Sequence, residues 1–314
     1  MTNPNLAESM PDPSQLIRVG NAPVSFGVFE PGFGDTKQLP WPRVLDMIAE
    51  AGYEGTELGP YGYLPTDPTR LAAELRKRGL ALGSSFVPID LANPATLEAA
   101  EREVLTVGRL LATQDVQEVI VADAGDEPRQ AAAGMSPPGW SDVQWEHAAR
   151  ALERLGGALR RELGMCVVIH HHAGTYLETP EEIDHLLRVT DPEQINLLLD
   201  TGHYVYGGGD PLKLVQEHGD RVTYVHYKDL DVKKLEQIRA ERIPMQAAWR
   251  QGVFVPLGDG CIDFEKLTDL LRGVGYGGWI IVEQDTVADE HGRLTPDPLE
   301  CAKRSREYLR RIGL

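Results

Sequence analysis

The sequence predicts an α/β protein folded as a single closed (β/α)8 barrel with a lid-like insertion after its seventh strand. Three observations carry this expectation. Short apolar runs alternate with helix-length segments eight times along 314 residues, the number of strand-then-helix units a closed parallel barrel needs. In the second half, CVVIHHHAG (Cys166 to Gly174), INLLLDTGH (Ile195 to His203), VTYVHYKD (Val222 to Asp229) and GWIIVEQD (Gly278 to Asp285) are apolar runs that end in His, Asp or Glu. Such residues follow many different strands, as expected when all strand tips meet at one mouth; an open doubly wound sheet would gather them near one crevice.

The elements follow in order. Residues 1–15 are polar and proline-containing, a flexible tail that leaves 16–314 as the barrel domain. Leu16 to Phe26 reads as a first strand, followed by a Gly- and Pro-rich loop to Pro40. Trp41 to Ala51 is a helix, with Val44, Leu45, Ile48 and Ala49 at the helical period and Gly52 as its stop. Tyr53 to Leu58 is a second strand, Pro68 to Arg78 a helix ended by Gly79, and Ala81 to Val87 a third strand. A long helix runs from Ala95 to about Ala112, and Glu118 to Ala122 is a fourth strand. The crossover Ala124 to Gly139 leads to a helix from Ser141, its cap, to Leu163. The fifth strand ends in the histidine triplet; Thr179 caps the next helix, with Pro180 at its first position. The Ile195 run is the sixth strand, Asp210 and Pro211 start the helix to His218, and Val222 to His226 is the seventh strand. Lys228 to Gly260 interrupts the rhythm and is a candidate lid over the mouth. A helix from Asp263 to about Val274, the eighth strand Gly278 to Glu283 and a helix over Asp297 to Arg311 complete the chain.

Lys and Arg total 31 against 48 Asp and Glu, a formal charge of −17. That balance disfavours a nucleic-acid partner, whose phosphates are bound through Lys and Arg. With no basic start before an apolar run and no apolar stretch of about 18 residues, neither a leader nor a membrane span is expected. A cytoplasmic protein is, alone or as a homo-oligomer. Cys166, Cys261 and Cys301 form no CxxC pair and read as reduced thiols.

Asp200, His226 and Glu283 are the sharpest chemical set, each at or just past the last apolar residue of its strand. Two carboxylates and an imidazole suit a divalent ion, Mn²⁺ or Co²⁺ ahead of Mg²⁺ or Zn²⁺. Alternation puts His170 and His172 on one strand face and His171 on the other. Glu178 either swings back as a ligand or stabilises the next helix's N-terminus. His203 is a substrate contact or a helix-flanking surface histidine. Lys228 shares the direction of His226 and is placed to bind or protonate a substrate oxygen. Asp229 and Asp285 are weaker candidates for orienting a ligand, and Glu57 lines the pocket or is a solvated strand-end acid. GDG (Gly258 to Gly260) and GYGGW (Gly275 to Trp279) read as turns, and no GxSxG elbow is present.

At DTGH (Asp200 to His203), HYKD (His226 to Asp229), PLGDGCIDF (Pro256 to Phe264) and GWIIVEQD the chain resembles the xylose-isomerase-like TIM barrel superfamily, which includes sugar isomerases, epimerases, inosose dehydratases and abasic-site endonucleases. HHHAGTYLET (His170 to Thr179), LLLDTGHYVYGGGDP and VGNAPVSFG (Val19 to Gly27) most resemble the inosose dehydratase group. Residue placement and resemblance together lead to the expectation of a metal held by Asp200, His226, Glu283 and Glu178, with His172 and Lys228 catalytic and His203, His170 and Glu57 meeting substrate. Epimerases of the superfamily carry a metal-binding Glu at the tip of strand five, where this chain has His170 to His172. The fourth ligand is therefore open between Glu178 and one of those histidines, and the change favours dehydration. The expected activity is dehydration of a cyclic polyhydroxy ketone through an enolate. A ketose isomerase or epimerase comes second, an abasic-site endonuclease and a non-catalytic sugar-binding barrel after that.

Overall fold

The computed structural model describes residues 17–30, 38–135, 138–289 and 291–314; the tail expected over 1–15 lies outside them. Nine strands form one parallel sheet: β1 (Arg18–Asn21), β2 (Gly55–Thr56), β3 (Ala81–Leu82), β4 (Phe86–Ile89), β5 (Glu118–Asp123), β6 (Cys166–His170), β7 (Ile195–Asp200), β8 (Val222–Tyr227) and β11 (Trp279–Val282). The remaining β9 (Asp229–Leu230) and β10 (Phe254–Val255) pair antiparallel outside it. The sheet order is β3-β2-β1-β11-β8-β7-β6-β5-β4. Its two edges, β3 and β4, are successive pieces of one segment, the expected third strand. Between them Gly83 N donates to Thr56 O (2.8 Å), Ser84 O accepts from Leu58 N (2.9 Å) and Ser85 O accepts from Ile120 N (3.1 Å). The segment thus pairs with β2 on one side and β5 on the other, and the eight-unit barrel expected from the sequence is borne out. The first strand stops earlier than expected because the chain turns at Pro23, which has no N–H for the ladder, into a 3₁₀ turn over Pro23–Phe26.

Side-chain alternation divides the interior in two. Val19, Val121, Val167, Ile169, Leu197, Leu199, Val225 and Ile280 point outward and pack beneath the helices. Ala22, Ile120, Val168, Leu198, Tyr224 and Ile281 point inward and fill the barrel. Helix starts follow local chemistry: Thr179 and Glu182 form a capping box at Pro180–Val189, and Asp210 accepts from Leu212 N at Pro211–His218.

The segment after β8 folds as β9, helices Val232–Glu241 and Met245–Arg250, and β10. Leu235, Ile238, Met245, Ala248, Trp249 and Phe254 form a separate small core with Ala133, Ala173 and Tyr206 of the barrel loops. Arg239 fastens the segment by donating to Gly134 O (3.0 Å) and Tyr206 O (2.8 Å). Among the described residues no helix is long and apolar enough to cross a membrane.

Asp229 organises the return from this insertion. Its carboxylate accepts from Gly258 N (3.0 Å), Gly260 N (2.9 Å) and Ile262 N (3.2 Å), so it builds the GDG turn and does not orient a ligand. A Cβ at position 260 would lie 2.2 Å from Asp229 Oδ1 and 2.4 Å from Leu230 O. Gly260→Ala is therefore expected to destabilise the fold by about 1–3 kcal/mol through overpacking, read as a lower urea midpoint at an unchanged slope; an unaltered midpoint would refute this account of the turn.

Candidate metal centre and substrate cavity

Along each inward-facing strand row, the apolar floor gives way to polar residues two positions further on. Val168 is followed by His170, Leu198 by Asp200, Tyr224 by His226 and Ile281 by Glu283. These four side chains are buried, and their donor atoms all lie within 4.8 Å of one another. Register explains the convergence: Asp200 stands directly opposite His226 across β7 and β8, and Glu283 N continues the β8–β11 ladder by donating to Tyr227 O (3.0 Å). His170 Nε2 is 3.6 Å from Asp200 Oδ2, and His226 Nδ1 is 3.6 Å from Asp200 Oδ2 and 3.3 Å from Glu283 Oε2.

The donor set fits a divalent cation. Asp200 Oδ1 caps the helix Thr201–Tyr206 by accepting from His203 N (2.8 Å), whereas Asp200 Oδ2 and His226 Nδ1 are buried without a hydrogen-bond partner and face the same space. Burial opposes charge on His226, yet Glu283 and Glu57 lift its proton affinity well above the ordinary histidine range. Burial likewise opposes ionisation of Asp200 and Glu283; Lys228 dominates at Asp200, His226 and Lys228 at Glu283, and both carboxyls are held below the usual range. The cluster calls for positive charge.

A second tier lies two residues beyond the first: His172, Lys228 and Asp285, joined by His203 from the helix after β7. Lys228 is buried, with its ammonium 3.3 Å from Asp200, 2.9 Å from Glu283, 3.0 Å from Asp285 and 2.9 Å from His203 Nε2. Burial disfavours that charge, but Asp200, Asp285 and Glu283 outweigh burial and keep the amine protonated. His172, His203 and Asp285 also group tightly enough for an ion, but the Lys228 ammonium already stands between His203 and Asp285. His172 Nδ1 lies 2.7 Å from Ala173 O. A carbonyl only accepts, so Nδ1 carries the proton and Nε2 the lone pair. Desolvation, then the charges of His170 and Lys228, hold His172 neutral.

DTGH is explained residue by residue. Asp200 caps a helix and faces the cluster; Thr201 Oγ1 donates to Lys228 O (2.8 Å) and accepts from Lys228 N (2.9 Å). A Cβ on Gly202 would lie 2.7 Å from Lys228 Cγ, so glycine is what lets the lysine stem pass. His203, its ring tilted against that of His172 with centroids 3.7 Å apart, contacts the ammonium.

Both tiers open into a cavity of about 420 Å³, lined also by Phe86, Met245, Gln246 and Trp249. The fourth position, left open between Glu178 and a histidine, is occupied in the cluster by His170. Glu178 is not in the cluster: its carboxylate accepts from Gly134 N and from Gly174 N (3.0 Å), tying together the loops after β5 and β6. His170, expected to meet substrate, fills that corner. His171 faces away, packing against Tyr204 and accepting from Asp200 N. Glu57 is buried, with Oε1 2.9 Å from His226 Nε2. Sequence reasoning missed Asp123, although EVIVAD ends in an acid as the later strands do; it lines the cavity and anchors Gly125 N and Tyr176 N (both 3.0 Å), and burial lifts it to about 6. It also missed Glu30, a cavity residue raised to about 7 by burial and by Glu103, and Trp249, whose place over His172 at 5.7 Å depends on how the insertion docks.

The profile of a family described as xylose isomerase-like TIM barrel matches residues 45–312. An inosose dehydratase of Geobacillus kaustophilus (strain HTA426) is 36% identical over 301 residues, covering 94% of each chain. An inosose dehydratase of Lacticaseibacillus casei is 33% identical over 297 residues, covering 93% of this chain and 96% of the relative. Among solved structures, the IOLI protein with a zinc atom superposes with a TM-score of 0.69 at 13% identity, over 94% of this chain and 97% of that one. The expected resemblance is borne out: the chain belongs to the xylose isomerase-like TIM barrel family and is an enzyme.

Proposed function

We propose that the protein is a divalent-metal-dependent dehydratase of a cyclic polyhydroxy ketone, an inosose or a close analogue. The observation that carries the reading is the stacking of two tiers at one mouth: a cation-type cluster below, and above it a neutral imidazole with a free Nε2 beside a buried ammonium. His170, Asp200, His226 and Glu283 would hold the ion. Bound there, a divalent cation, Mn²⁺ or Co²⁺ first, supplies the positive charge that steadies the enolate's oxygen.

The chain's own groups supply the proton movements. His172 Nε2 takes the proton from the carbon next to the ketone, and that C–H electron pair becomes the enolate. The C–O bond one carbon further breaks, and Lys228 delivers a proton so that the hydroxyl leaves as water. The enol that remains ketonises to a 1,2-diketone, so substrate equals diketone plus water. His203 Nε2, beside Asp285, accepts from the Lys228 ammonium and helps hold it in place. Met245, Gln246 and Trp249 cover the cavity and restrict water. The names of the relatives, at 33–36% identity over nearly the whole chain, support this substrate class, and the cavity is of a size usual for small-molecule sites, roughly 300–1,000 Å³.

Incubation with inosose in D₂O is expected to give a diketone and water, with loss of turnover on chelation and recovery with Mn²⁺ or Co²⁺. Deuterium exchange with interconversion of ketoses and no diketone would instead assign an isomerase or epimerase. Asp200→Asn is expected to lose the metal and turnover while its circular dichroism stays native; full activity in that variant would defeat the assignment. His172→Gln is expected to lower kcat on the order of 10²–10⁴ with metal content unchanged, and a normal kcat would remove His172 from proton transfer.

A further inference from the structure

We infer that Glu57 is a positioning residue: it selects the tautomer of His226 that can serve the cation, and it does not contact substrate. The inference rests on the metal-dependent reading above. Glu57 follows β2 and is 4% exposed. Its backbone is pinned on both flanks, because Thr56 O accepts from Gly83 N and Leu58 N donates to Ser84 O. The carboxylate therefore reaches His226 from a rigid wall.

An imidazole that ligates a cation is neutral, with one N–H and one lone pair. Glu57 Oε1, an acceptor when ionised, lies 2.9 Å from His226 Nε2, so the proton belongs on Nε2. The lone pair is then left on Nδ1, the atom that is buried without a hydrogen-bond partner and stands between Asp200 Oδ2 and Glu283 Oε2. The opposite tautomer would aim an N–H at the cation and a lone pair at a carboxylate, which is unfavourable at both ends. Tyr224, edge-on at 5.7 Å, and His170, edge-on at 5.1 Å, pack against the ring in this orientation. Glu57 Oε1 is engaged in this contact, so a carboxylate that lines the cavity need not be a substrate ligand.

The test uses the full chain and Co²⁺ alone as probe, titrated calorimetrically and followed by its visible absorption. Glu57→Ala is expected to weaken Co²⁺ binding on the order of 10–100-fold and to shift the absorption bands, with KM of the Mn²⁺-saturated enzyme little changed. Glu57→Gln, whose side-chain oxygen still accepts from Nε2, is expected to recover most of the affinity. If Glu57→Ala binds Co²⁺ like the parent and only KM rises, Glu57 is a substrate contact and the inference is overturned. Nitrogen spectra of the ¹⁵N-histidine-labelled parent protein loaded with diamagnetic Zn²⁺ decide the same question without any variant: protonated Nε2 with Nδ1 bare of hydrogen supports the inference, and the reverse tautomer or a ring protonated on both nitrogens overturns it. A parent protein that binds no Co²⁺, or binds it equally well as Asp200→Asn, overturns the metal reading itself.

Discussion

The structure of the site depends on one buried ammonium. Lys228 lies among Asp200, Glu283 and Asp285 with about 1% of its surface exposed, in surroundings where an unpaired charge would be prohibitive and where removing one partner of a buried pair costs about 3–5 kcal/mol. The three carboxylates and the ammonium are tolerated only together. They come from three pieces of chain, Glu283 and Asp285 sharing one, so the ion network also joins β7, β8 and the end of β11 at their tips. Two backbone devices make it possible: Thr201 holds the Lys228 peptide on both its N–H and its C=O, and Gly202 leaves the channel for the stem. DTGH and HYK are in this sense one motif written in two places.

Alternation turns that local arrangement into a layered site. A parallel strand that enters the barrel with an apolar inward residue presents its next inward residue about two positions later, closer to the mouth. Because Val168, Leu198, Tyr224 and Ile281 share one level, His170, Asp200, His226 and Glu283 must share the next, and His172, Lys228 and Asp285 the one above. The floor is apolar, the middle level gathers the His170, Asp200, His226 and Glu283 donors, and the upper level brings the His172 imidazole and the Lys228 ammonium to the cavity. The layering of the site follows from a period of two.

The same period explains what was legible in the sequence. Asp200, His226 and Glu283 could be placed together because each directly ends an apolar run, and the split of His170 and His172 from His171 needed only alternation. Glu178 could not be placed, since it lies past Ala173-Gly174-Thr175, where backbone turns erase any relation between position and direction; its carboxylate is taken up by the N–H groups of Gly134 and Gly174. The third strand read as one run and folds as two, because ladder pairing at residues 83–85 is divided between β2 and β5. Trp249 was invisible for a further reason: its place over His172 is set by the small core that docks the insertion on Ala133, Ala173 and Tyr206, a tertiary fact with no local signature.

His170 in the cluster bears on the chemistry. The resemblance to epimerases would put a glutamate at the tip of strand five; an imidazole there leaves two carboxylates, Asp200 and Glu283, as the anionic donors. Less ligand charge leaves more of a cation's charge to act on a ketone oxygen, which acidifies the neighbouring C–H. It also removes a carboxylate that could serve as a second base on the opposite face of the carbon, the group an epimerase needs to return the proton with inverted configuration. What stands beside Glu283 instead is a protonated Lys228, which in the proposed reaction gives a proton to the departing hydroxyl. On the proposed mechanism, one base and one cationic acid would direct an enolate toward losing water, and that ordering of proton donors, more than the fold, would separate dehydration from epimerisation on this barrel.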